Sequence, residues 1–254
     1  MIHITYKKKG IRITQVWFPT TEWAALKTDL FLVHGVYEKG KKGVWQTFHT
    51  LMSDLKSSEE ALMSSIHKNV RYEIRRNQKE EVTYRMYSSK EIAENTKLLD
   101  KFAAMYEAMY AEKGMKQMLN KEQMMLYAEA DAVMISAMMM NDDAAVMHSY
   151  IVEGDNVRLL HSVSEFRRED MDSNFIARCN KRLHWEDICY FKQNGKQRYD
   201  WGGVSSLTNP NGIDAFKFKF GGSPITYYNQ YEAGSFLGKI MLLGLKLKMK
   251  NDTE

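Results

Sequence analysis

Two glycine pairs, Gly202-Gly203 and Gly221-Gly222, bracket a polar loop and a strip in which phenylalanine and lysine alternate from Phe216 to Phe220. Glycine lets a backbone approach a ligand closely and take positive φ, so the first pair suits the wall of a site; a plain turn accounts for it equally well. Strand alternation places Lys217 and Lys219 on the face opposite Phe216, Phe218 and Phe220. On such a strand the lysines are either solvated or aimed at an anionic group. Asp200, just ahead of the first pair, is placed to anchor the turn or orient the strip.

Upstream, in "NVRLLHSVSEF", His161 and Glu165 alternate onto one strand face with Val157, Leu159 and Val163. An imidazole or carboxylate there could accept a proton, although a lone histidine in an apolar strand is more often a satisfied core residue. Arg167, Arg168 and Asn174 flank the start of a long helix. A helix N-terminus with arginines suits a phosphate, whereas Glu169 and Asp172 oppose an anion there. Arg71 and Arg75 stand one helical turn apart, on a solvated face or against an acceptor phosphate. Cys179 and Cys189 lack metal-ligand spacing and read as buried free thiols; no metal site is expected.

These residues sit in a chain of 254 residues, 44% hydrophobic and 27% charged, with 3 prolines and a net charge of +4. That charge fits an anionic ligand or a membrane-facing surface and is too small to argue for duplex DNA. No run of 18 apolar residues occurs, and "MIHITYKKKG" lacks the apolar stretch of a signal peptide, so a cytoplasmic location is expected. The 18 methionines, densest in "MISAMMM", read as adaptable core filling rather than an acyl-binding cleft.

Residues 1–56 read as short strands and one short helix. Ser57 with Glu60, Ser88 with Glu91, and Asn120 with Gln123 form capping patterns, each opening a helix. From Ser88, Ile92, Leu99, Phe102, Tyr106 and Met109 recur at helical spacing up to Gly114. Three strand runs, "AVMISAMMM", "AAVMHSYIVEG" and "NVRLLHSVSEF", are joined by tight turns. A long helix capped by Asp172 and stopped by Gly195 follows, then the strand "QRYDW", the F-K strip, "PITYYNQYEAG" and the tail "SFLGKIMLLGLKLKMK". The hairpin-linked middle strands exclude a doubly wound nucleotide fold. The expected class is α/β, built on a mixed sheet.

This order resembles the core of the GNAT acyltransferases, and three segments resemble the FemAB-like branch that includes peptidoglycan-bridge enzymes. "KNVRYEIRRNQKEEV" is similar to R-x-x-I-R-K-A-x-x-x-G-V. "RLHWEDICYFKQNGKQRYDWGG" is similar to L-x-W-x-x-I-x-x-A-K-x-x-G-x-x-x-Y-D-F-G-G. Gly212 to Gly222 matches G-x-x-x-F-K-x-x-F-G-G. The chain departs where "KEEV" replaces a glycine, where Trp201 replaces phenylalanine, and where "FRREDMDSNFIARCN" replaces the usual phosphate loop.

The resemblance implies a mixed, largely antiparallel sheet flanked by helices, in one GNAT-like domain spanning 1–254. Residues 1–56 would be an N-terminal extension, 57–235 the core and 236–254 a tail. It implies an N-acyltransferase moving an acyl group from acyl-CoA to an amine of an amino sugar or lipid-linked cell-envelope precursor, with no permanently bound cofactor. The alternatives are transfer from aminoacyl-tRNA to a peptidoglycan bridge, and, given the absent phosphate loop, a non-catalytic binding protein. Lys217 would stabilise charge at the reacting carbonyl, and His161 or Glu165 would take the amine's proton. Arg167, Arg168 and Asn174 would hold the donor, while Asp200, Gly202, Gly203, Lys219, Arg71 and Arg75 would serve the acceptor. The lysine-bearing tail packs on the sheet or lies on an anionic membrane surface at the inner face of the membrane.

Overall fold

A computed structural model describes residues 1–19, 23, 25–112, 114–165 and 172–251, the side chains beyond 247 excepted. In chain order the elements are β1 (Ile2–Lys8), β2 (Ile11–Trp17), β3 (Leu30–Val36), β4 (Val44–Asp54), α1 (Glu59–Ser65), α2 (Lys68–Asn77), β5 (Thr83–Tyr87), α3 (Ser89–Glu94) and α4 (Thr96–Ala111). There follow α5 (Lys121–Glu129), β6 (Val133–Met140), β7 (Asp143–Glu153), β8 (Asn156–Ser164), α6 (Ser173–Gln193), β9 (Arg198–Asp200), α7 (Gly212–Phe218), β10 (Ser223–Ala233) and α8 (Phe236–Asn251). The class is α/β with largely antiparallel strand pairing and flanking helices, as the sequence implies.

The chain divides into two compact units. The first holds Met1–Thr50 and Ile225–Glu254. There β1 pairs antiparallel with β2, β2 parallel with β3, and β3 antiparallel with β10, around Val16, Phe31 and Val33. Residues 1–56 hold the strands β1 to β4, and Trp23 and Ala25, between β2 and β3, have 3₁₀-helical geometry.

The second unit, Leu51–Pro224, carries the predicted chemistry. The end of β4 pairs antiparallel with β9, β9 runs parallel to β8, and β8, β7, β6 and β5 form an antiparallel meander. Helix α6 packs on this meander through Leu183, Ile188 and Phe191, beside α2, whose Val70 and Ile74 are one turn apart and buried. Tyr150, Leu159, Tyr199, Trp201 and Phe220 complete that core. Met138 is fully buried and Met134 packs against the core, in keeping with methionine as filler.

Local sequence explains most boundaries. Ser88 and Glu91 form the reciprocal capping box, Asn120 caps α5, and Asp172 caps α6, which ends before Gly195 at φ +76°. Three expectations change. Ser58, not Ser57, caps α1 by accepting from the Ala61 N–H. The helix expected from Ser88 to Gly114 breaks at Asn95, whose side chain caps α4 as a fresh start. The F-K strip is not a strand: Asn211 and Asp214 form a capping box, and Gly212–Phe218 is helical.

Candidate functional site

The β8–β9 pairing lasts for three positions, from Asn156 opposite Arg198 to Arg158 opposite Asp200. Beyond it, Trp201 stays with β4 by donating its N–H to the Leu51 carbonyl, while β8 leaves β9 and continues along β7 to Ser164. The two parallel strands therefore fork. Gly202 stands in the crotch with φ +64°, and the Leu159 carbonyl occupies the space a Cβ would need. Only glycine satisfies both conditions.

Helix α7 presents Lys217 to this fork. Its Nζ donates to the carbonyls of Gly202 (2.9 Å) and Gly203 (2.7 Å). Helical rather than strand geometry accounts for this. Phe216 and Phe220, four apart, share one side; they lie against each other with ring centroids 5.2 Å apart and against His184, so Lys217 projects elsewhere. The loop into α7 is held by Asp214, a buried carboxylate that accepts from the N–H groups of Ser205, Ser206 and Asn211 and from the Ser205 hydroxyl. The second glycine pair has a different use: at Gly221, φ +79°, a Cβ would press on Ser65 at 2.8 Å.

Burial lowers the Lys217 pKa to about 8, only partly offset by the charges of Asp200 and Asp214 and reinforced by Arg158. Asp200 accepts the Gly202 N–H at 2.8 Å and lies 3.8 Å from the Arg158 guanidinium, with both side chains nearly fully buried. Lysine has three N–H donors, so two bonds to carbonyls leave one for a ligand oxygen. An ammonium fixed by backbone groups at a strand fork is suited to stabilising negative charge that develops on a carbonyl oxygen.

Lys217, Asp200, Gly202 and Gly203 are thus brought together. His161 and Glu165 go elsewhere. A bulge in β8 pairs Leu159 with Tyr150 and His161 with Ser149, leaving Leu160 as the extra residue. Leu159 joins the core that holds the α6 side chains, whereas the His161 ring meets Phe102 and Tyr106 of α4. The expected shared face of Leu159 and His161 is therefore corrected: the bulge reverses the alternation between them. Burial drives the His161 pKa down to about 4, leaving a neutral imidazole at pH 7. Glu165 pairs with Lys101 of α4 at 3.2 Å.

Arg71 is used structurally, donating to the Ser64 and Ile66 carbonyls at the end of α1. Arg75 is exposed on α2. Lys219 is exposed beyond α7, and its carbonyl accepts the His67 N–H. Asn174 lies in the first turn of α6, where its N–H donates to Asp172. Arg167 and Arg168 lie outside the described residues. Cys179 is buried and Cys189 half-buried; both are free, with burial pushing their pKa values up to about 11 and about 12.

The sequence reading missed a buried polar chain behind the fork. Asp187 of α6 accepts from the hydroxyls of Tyr150 (2.5 Å) and Tyr84 (3.1 Å), and His148 Nδ1 lies 2.9 Å from it. Tyr150 meets Tyr199 at 3.0 Å, and the His148 and His184 rings lie 4.0 Å apart. Burial first, then the Asp187 charge, holds Tyr150 and Tyr199 well above the ordinary tyrosine pKa. It also missed Arg158. The available signal was a charged or polar residue inside an otherwise apolar run: Arg158 in "NVRLL", His148 in "AAVMHSYIV", Asp187 in "WEDICYF". A cavity of about 400 Å³ lies near the end of α6, bounded by Ser88, Glu153, Tyr190, Asn194 and Lys196, and none of the predicted site residues lines it.

No protein-family profile matches the sequence, and no curated protein matches it. Solved structures do match in fold. The chain is similar to FemX, with a TM-score of 0.59 at 12% identity over 90% of this chain and 81% of that one. It is also similar to the C-terminal domain of a putative lysylphosphatidylglycerol synthetase from Agrobacterium fabrum (TM-score 0.55, 9% identity, 94% and 83% covered). L-PGS from Bacillus licheniformis matches at a TM-score of 0.53 and 10% identity, with 95% and 84% covered. The chain therefore shares the fold of FemX and of these lysylphosphatidylglycerol synthetase structures, a mixed, largely antiparallel sheet flanked by helices, as the resemblance implies.

Proposed function

We propose that the protein transfers an acyl or aminoacyl group from an activated carbonyl donor to an acceptor amine at the β8–β9 fork. The carrying observation is Lys217, whose Nζ is fixed by the Gly202 and Gly203 carbonyls where the parallel strands separate. With a thioester donor, the amine nitrogen attacks the carbonyl carbon and the carbonyl oxygen takes the negative charge beside the Lys217 ammonium. Collapse breaks the carbon–sulfur bond, the thiolate leaves, and the proton lost by the amine balances it. The donor we favour is acyl-CoA, and the acceptor an amino sugar or other cell-envelope precursor amine.

A second reading, an aminoacyl ester carried by tRNA, gains support from the likeness to FemX and to proteins named for making lysylphosphatidylglycerol. A thermal-shift titration separates the readings. Coenzyme A, acetyl-CoA and longer acyl-CoAs are compared with an aminoacyl-adenosine analogue, on wild type and on Lys217→Ala. A saturable rise in Tm with acyl-CoA supports the thioester donor, since a ligand stabilises the state it binds. A rise with the analogue alone moves the donor to aminoacyl-tRNA. No shift with either favours a non-catalytic binding protein.

A further inference from the structure

The C-terminal helix is covered on one side only. Gly238 packs so closely on the Asp29 carbonyl that a side chain there would collide with it, and Leu242 and Leu245 are the other partly covered positions. These residues, at i, i+4 and i+7, form the inner stripe of α8. Ser235 fixes the start of the helix by donating to Asp29 at 2.6 Å.

The opposite stripe is apolar as well. Phe236, Ile240, Leu243 and Leu247, at i, i+4, i+7 and i+11, are 78%, 54%, 61% and 61% exposed. Leu237 and Met241 extend the apolar surface on one flank, and Lys239 and Lys246, two turns apart, border the other. A helix that is apolar nearly all round belongs in a core or against lipid, and this one is not in the core.

Charge selects the occupant. From Phe236 to Asn251 the sequence holds four lysines and no acidic residue. Residues 1–50 and 225–254 together carry 12 lysines and arginines against 6 acidic residues, a balance of +6; residues 51–224 carry 24 against 26, a balance of −2. The basic charge of the protein thus belongs to the unit that bears α8. A second copy of the chain would set the lysine-bordered stripes against each other, like charge on like charge. Anionic headgroups above an acyl layer satisfy both the lysines and the outer stripe. At 16 residues α8 is short for a crossing, and no described helix is long and apolar enough to cross a membrane.

We infer that α8 docks the protein on an anionic lipid surface, lying in the interface with Phe236, Ile240, Leu243 and Leu247 among the acyl chains. The inference is independent of the transfer reaction proposed above.

Co-sedimentation of the full chain with vesicles tests it, using phosphatidylcholine alone and phosphatidylcholine containing phosphatidylglycerol. Wild type should pellet with the phosphatidylglycerol vesicles at low salt, and far less at high salt or with phosphatidylcholine alone. Lys239→Gln with Lys246→Gln should weaken binding by about fivefold per lysine, at about 1 kcal/mol for each basic residue at the surface. Ile240→Ser with Leu243→Ser should abolish binding and keep the wild-type Tm. Wild type remaining in the supernatant with phosphatidylglycerol vesicles overturns the inference, as does equal pelleting of the serine variant. A fall in its Tm shows the stripe to be packed within the fold and overturns it too. So does light scattering that finds a wild-type dimer and a monomeric serine variant, because the face then belongs to a second copy.

Discussion

The Lys217 ammonium and the Gly202 carbonyl, fifteen residues apart in sequence, are joined at 2.9 Å across the mouth of the β8–β9 fork. A lysine held there, largely out of water, is strained electrostatically, and its pKa falls to about 8. The unfolded chain keeps the ordinary value of 10.5. Below pH 8 both states are protonated and the burial cost is present in full. Between about pH 8 and pH 10.5 the unfolded state binds the extra proton, so stability rises with pH. Urea unfolding of wild type against Lys217→Met should show wild type gaining on the variant over that window, by an amount on the order of 1–3 kcal/mol. A difference that stays flat with pH would remove Lys217 from its buried position. In a transfer assay the same variant should lose about 100-fold or more in kcat, the scale of removing one oxyanion donor.

Gly202→Ala and Gly212→Ala form a matched pair. At Gly202 a Cβ meets the Leu159 carbonyl at positive φ; at Gly212, at the start of α7, nothing lies within 4 Å of it. The first should cost about 2–4 kcal/mol in chemical denaturation, and the second should be neutral or stabilising by about 0.5 kcal/mol.

His161 makes the fold acid-sensitive. Its folded pKa of about 4 lies below the ordinary 6.5, because burial opposes the charged ring. Above pH 6.5 both states are neutral; as pH falls toward 4 the unfolded chain takes the proton first, and stability is lost. His161→Gln should remove about 2–3 kcal/mol of the loss seen between pH 7 and pH 4. An unchanged acid profile in the variant would place the ring in water.

Asp187→Ala should be among the most damaging single changes in the second unit. It removes the carboxylate that accepts from the Tyr150 and Tyr84 hydroxyls and pairs with His148; Tyr150, His148 and Asp187 are fully buried and Tyr84 is half-buried. Loss of one partner from such a buried charged group costs about 3–5 kcal/mol. Urea midpoints of Asp187→Ala and the near-isosteric Asp187→Asn would show the alanine variant falling further.

Much of the element order was legible because helix caps are local chemistry. Ser88-Glu91, Asn120 and Asp172 act within three residues of themselves, and the structure keeps each. The F-K strip misled because five residues of perfect alternation mimic a strand, and the stronger local statement was the capping pair Asn211 and Asp214 just ahead of it. Lys217, Gly202 and Gly203 stood out separately by residue type, but their contact was not legible, because it depends on the strip being helical. The His148–Asp187 chain was not legible because its members come from β5, β7, α6 and β9, and no spacing along the chain announces that they meet. The face of His161 was lost for a similar reason: one extra residue in β8 is invisible to a period-two reading.

That extra residue also limits how this strand can change. Leu160 sets the phase of everything after it: upstream, Leu159 packs in the core beside α6, and downstream His161 and Glu165 meet α4. Exchanges at 160 leave the phase intact, so the position should accept many side chains. Deleting it would instead turn His161 and every later residue of β8 over together. In β8, length is constrained more tightly than identity.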